Sequence, residues 1–261
     1  MVRIDGSTII GMVHLKPLAG APGFDGDREA IIDRALSDAR TLAEGGVDAV
    51  LVENFGDAPF YPDNVPHHVV AEMTRVGTAI QNAIDIPVGI NVLRNDATAA
   101  LSVAAATGGE FIRVNVHTGA KVTDQGRIDG RAHETLRLRE HIDATQVRVF
   151  ADVGVKHAST LGTESIDDET RDLIERGNVD AVIVSGAATG ESTDAGELRT
   201  VTEIAHQASI PVLVGSGATP DTISELLTIA DGAIVGSALK VDGNPSKSVD
   251  GDRVEQIVSA R

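Results

Sequence analysis

The stretch Glu29–Glu53, EAIIDRALSDARTLAEGGVDAVLVE, holds one repeat of the fold. Ala30, Ile31, Ala35, Leu36, Ala39 and Leu42 fall on one stripe at helical spacing, and Gly45-Gly46 closes the helix. Ala49–Glu53 then reads as a short strand, apolar on both faces until its last residue. The same order of helix end, tight turn and strand returns as RGNVDAV at 176–182 and IADGAIV at 229–235.

Working outward, eight such apolar runs recur: Ile9–Leu15, Ala49–Glu53, Pro87–Val92, Phe111–Val116, Val147–Val153, Ala181–Ser185, Pro211–Val214 and Gly232–Val235. Helical patterns follow them at Glu29–Glu44, Val65–Ala83, Asp96–Ala106, Arg131–His141, Asp167–Arg176, Asp194–Ala208, Pro220–Ala230 and Asp250–Ala260. Eight βα units in 261 residues point to an α/β chain forming one (β/α)8 TIM barrel over 1–261. An open doubly wound sheet is the alternative, and it rarely needs eight evenly spaced units. No linker divides the chain, and only the tail Asp242–Asp252 reads as loosely ordered.

Composition narrows the function. With no Cys, disulfides, thiolate nucleophiles and iron–sulfur clusters are excluded. Lys and Arg number 22 against 39 Asp and Glu, a net charge of −17 that argues against nucleic acid, where clustered bases are needed. An Asp-rich surface with few lysines suits concentrated salt, which screens the self-repulsion, so a halophilic source is expected. No signal-like N-terminus and no membrane-length apolar run are present, and a cytoplasmic protein is expected.

In a barrel of this kind the chemistry sits at the C-terminal ends of the strands. Those ends carry His14, Glu53, Asn91, then Arg113, Asn115 and His117, then Asp152 followed by Lys156 and His157, then Ser185 and Thr189. Alternation sets Arg113, Asn115 and His117 opposite Ile112, Val114 and Val116, and Asp152 opposite Val149, Ala151 and Val153. The polar faces should therefore point into the barrel. Intrabarrel ionisable clusters are costly and concentrate at functional sites, although a satisfied internal network is the competing explanation.

Gly215-Ser216-Gly217 after the seventh strand and Gly236-Ser237 after the eighth form a second signal. Barrels that bind phosphorylated ligands grip phosphate with these two loops, where glycines let backbone N–H groups approach the anion. Two long segments stand on the same face. Asn54–Pro66 holds Phe55, Phe60 and Tyr61, half of the six aromatic residues, and reads as a lid or partner surface. His117–Gly130 reads as a second lid. No cofactor is expected. A divalent metal held by His14, Glu53, Asp152 and His157 stays open, without a ligand-spaced motif to support it.

The stretches GMVHLKPLAGAP (11–22), VENFGDAPF (52–60), VGINVLRND (88–96), HTGAK and TDQGRIDG within 113–130, ADVGVKHA (151–158) and VSGAATG (184–190) resemble the BtpA/SgcQ family. That resemblance implies a barrel of the ribulose-phosphate-binding type. One branch is named for photosystem I biogenesis and another for a sugar-metabolism gene cluster.

Two functions follow. The first is an enzyme on a phosphorylated sugar or nucleoside-derived small molecule, of isomerase, lyase or glycosyl-transfer type. Glu53 and Asp152 would exchange protons, Arg113 and Lys156 would stabilise developing negative charge, and Asn91 and Asn115 would orient hydroxyls. His14 joins them as a candidate. The second is a non-catalytic biogenesis factor with a vestigial phosphate-binding barrel. The partner expected is a phosphorylated small molecule; a homo-oligomer is compatible with the sequence.

Overall fold

Most of the helices begin where an aspartate or serine side chain caps the first turn. Asp27 accepts from the Ala30 N–H at 3.0 Å and starts α1 (Arg28–Glu44), which ends on Gly45 and on Gly46, whose φ of +88° belongs to the left-handed region. Asp96 caps α3 (Ala97–Thr107) and Gly108 ends it in the left-handed conformation, while Ser165 and Asp168 form a reciprocal capping box on α5 (Ile166–Glu175). The remaining helices are α2 (His67–Gln81), α4 (Ala132–His141), α6 (Ala195–Gln207), α7 (Ile223–Leu226) and α8 (Gly251–Ser259). The structure is a computed structural model that describes residues 2–154, 159–160, 165–186 and 194–261.

Eight parallel strands close on themselves: β1 (Thr8–His14), β2 (Ala49–Glu53), β3 (Val88–Asn91), β4 (Phe111–Val114), β7 (Arg148–Val153), β9 (Ala181–Val184), β10 (Val212–Val214) and β11 (Gly232–Val235), with β11 pairing β1. This is the (β/α)8 barrel that the sequence predicts.

One face of every strand packs outward on the helices through residues such as Val13, Val52, Ile90, Val114, Val153 and Val184. The other fills the lumen with Ile10, Met12, Leu51, Phe111, Phe150, Ile183, Leu213 and Ile234, and Val2 plugs the N-terminal end. Phe111 and Phe150 stack there with ring centroids 4.7 Å apart. Gly89 makes room for that stack, because a Cβ on it would lie 2.2 Å from the Phe111 ring.

Three expectations need correction. His117–Gly130 is not an irregular loop. It contains an antiparallel hairpin of β5 (Ala120–Thr123) and β6 (Gly126–Asp129), joined at its other edge by β8 (Ser159–Thr160). Val116 and Ile128 form a small core of their own, and the buried Lys121 Nζ donates to Glu169 on α5 at 2.7 Å. The helix expected over Pro220–Ala230 shrinks to Ile223–Leu226. Thr222 is the reason: its hydroxyl accepts from the Thr219 N–H and donates to the Gly217 carbonyl, both at 2.9 Å, so the chain stays committed to the loop after β10. The tail Asp242–Asp252 is ordered. A bridge pairs Lys240 with Val249, and Val241 N–H donates to Ser248 O at 2.9 Å.

Candidate active site

Strand register assembles the site. His14 lies beside Glu53, Glu53 beside Asn91, and Asn91 beside Arg113, so four successive strands place a polar side chain at one level of the lumen. One step up, Asn115 follows β4 and Asp152 stands on β7. All six are buried. Two residues earlier on the same strands stand Met12, Leu51, Phe111 and Phe150, which sets a polar layer directly on an apolar one.

Arg113 and Asp152 form a two-pronged ion pair, Nε to Oδ2 at 3.1 Å and Nη2 to Oδ1 at 2.9 Å. Asn115 Nδ2 donates to the same Oδ2 at 2.6 Å, and Ser185 Oγ reaches Oδ1 at 3.5 Å. Burial alone would drive the Arg113 guanidinium towards neutrality. The charge and hydrogen bonds of Asp152, with Glu53 adding to them, outweigh it and hold the group above its ordinary range. Asp152 thus spends both oxygens on Arg113, with Asn115 and Ser185 as further donors. Asn91 Nδ2 donates to the Arg113 carbonyl at 3.1 Å and to Asn115 Oδ1 at 3.4 Å. It braces the guanidinium strand from behind and does not line the cavity.

Above this layer opens a cavity of about 560 Å³. Its walls include His14, Glu53, Arg113, Asn115 and Asp152 together with Gly215, Ser216, Gly217, Gly236 and Ser237. The sequence-predicted residues of both groups that the structure describes therefore share one space, apart from Asn91 and from His117, whose Nε2 turns away to the Gly177 carbonyl at 2.9 Å. Lys156, His157 and Thr189 lie outside the described residues.

The loops carry glycine for steric reasons. A Cβ on Gly215 would sit 2.3 Å from Ser185 Oγ, and Gly217 has φ +76°. The Ser216 hydroxyl accepts from Gly186 N–H at 2.6 Å, fastening this loop to the end of β9.

Several lining residues were not singled out as site residues in the sequence. Phe55 and Phe60 come from the Asn54–Pro66 segment, whose third aromatic, Tyr61, is half exposed. Their rarity in this chain was the available signal. The segment is pinned: Asn54 Oδ1 accepts from Leu93 N–H at 2.7 Å, Asp57 Oδ1 accepts from Leu18 N–H at 2.7 Å, and burial raises the Asp57 carboxyl above its ordinary value. Arg94, just past β3, lines the rim. Arg253 lines it from α8, where its Nη1 donates to the Ala238 carbonyl at 3.4 Å. Nothing in the sequence around Arg253 marks a helix residue that reaches back to the preceding loop.

His14 stacks on Phe55 with centroids 4.5 Å apart, and its Nε2 stands 3.9 Å from Glu53 Oε1. Among the described residues no group of three or more imidazole or carboxylate side chains is placed to hold a metal ion. Nor is any described helix long and apolar enough to cross a membrane.

Comparison with known proteins places this arrangement. Residues 6–261 match the model of the BtpA family. The chain belongs to the BtpA family. Within that family it is 46% identical over 252 residues to the photosystem I biogenesis protein BtpA of a Synechocystis strain, covering 97% of this chain and 87% of the relative. It is 34% identical over 252 residues to SgcQ, a protein of the sgc region of Escherichia coli, covering 96% and 92% of the two chains. Among solved structures, thiamine phosphate pyrophosphorylase from Pyrococcus furiosus superposes with a TM-score of 0.60 at 15% identity, over 98% of this chain and 96% of that one. At that identity the likeness is one of fold: a BtpA-family chain is a TIM barrel.

Proposed function

We propose that this BtpA-family barrel is an enzyme acting on a phosphorylated sugar or a nucleoside-derived phosphate by acid/base chemistry of isomerase, lyase or glycosyl-transfer type. One observation carries the reading: a single cavity of about 560 Å³ is lined both by the two glycine–serine loops and by the buried Glu53 and Arg113. That volume suits a small metabolite, and its polar groups are few and convergent.

In this reading the phosphate rests on Gly215–Gly217 and on Gly236-Ser237. Backbone N–H groups and the two serine hydroxyls would meet its oxygens there, and Arg253 adds positive charge at the rim. Glu53 moves the proton. Asp152, with both oxygens engaged, holds Arg113 rigid and charged; Arg113 then faces the negative charge that develops on the substrate. Phe55, Phe60 and Leu93 supply an apolar wall.

A thermal-shift series at high salt tests this directly. Ligand bound to the native state alone at a hundred times its dissociation constant stabilises by about 2.7 kcal/mol. Pentose phosphates and nucleotides should raise the melting temperature, and Gly217→Val should abolish the shift. If no phosphorylated compound raises it, the reading falls.

The name of the Synechocystis relative favours a second reading, a biogenesis factor whose barrel holds a ligand without turning it over. It predicts that Glu53→Gln, folded and ligand-binding, sustains the same cellular role. Loss of that role in Glu53→Gln would decide for the enzyme.

A further inference from the structure

The segment after β11 does more than connect it to α8. Lys240 is fully buried, and its Nζ donates to the Met12 carbonyl on β1 at 2.8 Å and to Asp38 Oδ2 on α1 at 3.3 Å. Asp38 is itself buried, and its Oδ1 accepts from the Val249 N–H at 2.8 Å and from Arg34 Nε at 3.1 Å. One carboxylate therefore grips the outgoing and the returning limb of the same strap. Between the limbs, Lys247 N–H donates to the Asn244 carbonyl, and Ser246 N–H to Asn244 Oδ1, both at 2.9 Å. The turn so formed presents the Pro245 carbonyl to His14 Nδ1 at 2.9 Å.

A carbonyl can only accept, so Nδ1 must carry the proton. In the neutral ring the exchangeable position is then Nε2, the nitrogen that faces Glu53 Oε1 at 3.9 Å. Nε2 is therefore the ring nitrogen able to take up or release a proton, and the carboxylate it would exchange with is Glu53. Stacking on Phe55 keeps the ring from turning away.

We infer that the strap Lys240–Asp250 is a positioning device that fixes His14 with Nδ1 protonated and so makes Nε2 of His14 the proton-exchange partner of Glu53, with Lys240 and Asp38 as positioning residues. The inference rests on the reading that Glu53 transfers a proton in this cavity. It adds a second proton-handling group and the buried pair that aims it. The large cost of a buried ammonium–carboxylate pair is then understandable as specificity of placement.

The test reads the imidazole without any substrate. Long-range 1H–15N spectra of the full chain labelled at histidine are recorded at pH 8.5, with His14→Asn identifying the His14 signals. A protonated Nδ1 and an unprotonated Nε2 are expected in the native protein. In Lys240→Met the two nitrogens should exchange signatures, towards the Nε2-protonated form that an unconstrained histidine favours. Should Lys240→Met fail to fold, as melting and circular dichroism would report, replacement of 244–247 by two glycines removes the Pro245 carbonyl and keeps the buried clamp. That variant should show the same exchange. A protonated Nε2 with a bare Nδ1 in the native protein, or an unchanged Nδ1–H signature in the folded strap variant, overturns the inference. Neither outcome depends on phosphate binding, which the thermal-shift series reports separately.

Discussion

The two halves of the barrel lumen differ by one step along the same strands. At the N-terminal half stand Leu51, Phe111, Phe150 and Ile183; two residues on, the same inward positions carry Glu53, Arg113, Asp152 and Ser185. Backbone and hydrogen-bond ladder are shared, so the contrast lies entirely in the side chains. The lower layer holds the barrel closed by packing. The upper layer keeps an ion pair and an acid out of bulk water, which costs stability and raises the electrostatic strength of every group there. One scaffold thus divides stability from function by depth.

The largest effects should come from breaking either layer. Phe150→Ala removes half of the fully buried ring stack and should cost about 3–5 kcal/mol. Arg113→Met leaves Asp152 buried and unpaired, with a cost of the same order, about 3–5 kcal/mol. The layers separate in the rescue. Arg113→Met combined with Asp152→Leu should recover most of the lost stability in denaturant melts, because replacing a buried pair with apolar side chains is often neutral. The double variant should nevertheless be inert. Phe150→Ala, where folded, should still show the phosphate-dependent thermal shift. Recovery of ligand turnover in the double variant would erase the division between layers.

How far these layers can be read from the chain alone depends on period. Alternation on β4 and β7 assigned Arg113, Asn115 and Asp152 to the lumen, because a strand covered by helices has only two faces and the aliphatic one must meet the helices. Glycine and serine marked the two loops because close approach of backbone leaves no room for Cβ. Other features carry no such period. The hairpin AKVT/GRID has strands of four residues with Lys, Arg and Asp among them, and it is stabilised by Ile128 on Val116 and by Lys121 on Glu169, contacts remote in sequence. Arg253 and Lys240 reach their partners across a loop, and no local pattern encodes that reach.

Smaller effects follow from titration, and they sharpen the contrast because they arise outside the two layers. Burial lowers the Lys240 ammonium to about 8 from 10.5, against the pull of Asp38. A base with a depressed folded value binds fewer protons than the unfolded chain between those limits. Its share of stability is complete above the unfolded value and is lost as pH falls through about 8, a difference of about 3 kcal/mol. Denaturant midpoints of the native protein should therefore rise between pH 8 and 10 relative to Lys240→Met. His117 behaves alike at lower pH. Burial holds it below the ordinary histidine value, against its Gly177 hydrogen bond, and Arg139 adds to the depression. Its contribution is complete above 6.5 and fades as pH falls through the lower folded value. His117→Asn should flatten the decline of melting temperature between pH 7 and 5.

The smallest effect on stability should come from Glu53→Gln, and it separates the layers most sharply. The side chain keeps its volume and loses a buried charge held beside His14 Nε2 at 3.9 Å, so the melting temperature should change little or rise. The phosphate is assigned to Gly215–Gly217 and Gly236-Ser237 and not to Glu53, so the thermal shift with a pentose phosphate should survive. Turnover of the responding compound should fall by about two to four orders of magnitude, the usual contribution of a positioned acid or base. Solvent-hydrogen exchange into the bound ligand, followed by NMR, measures that loss for isomerase or lyase chemistry, and product formation measures it for glycosyl transfer. Unchanged exchange in folded Glu53→Gln would remove Glu53 from the chemistry and leave the upper layer as a binding surface alone.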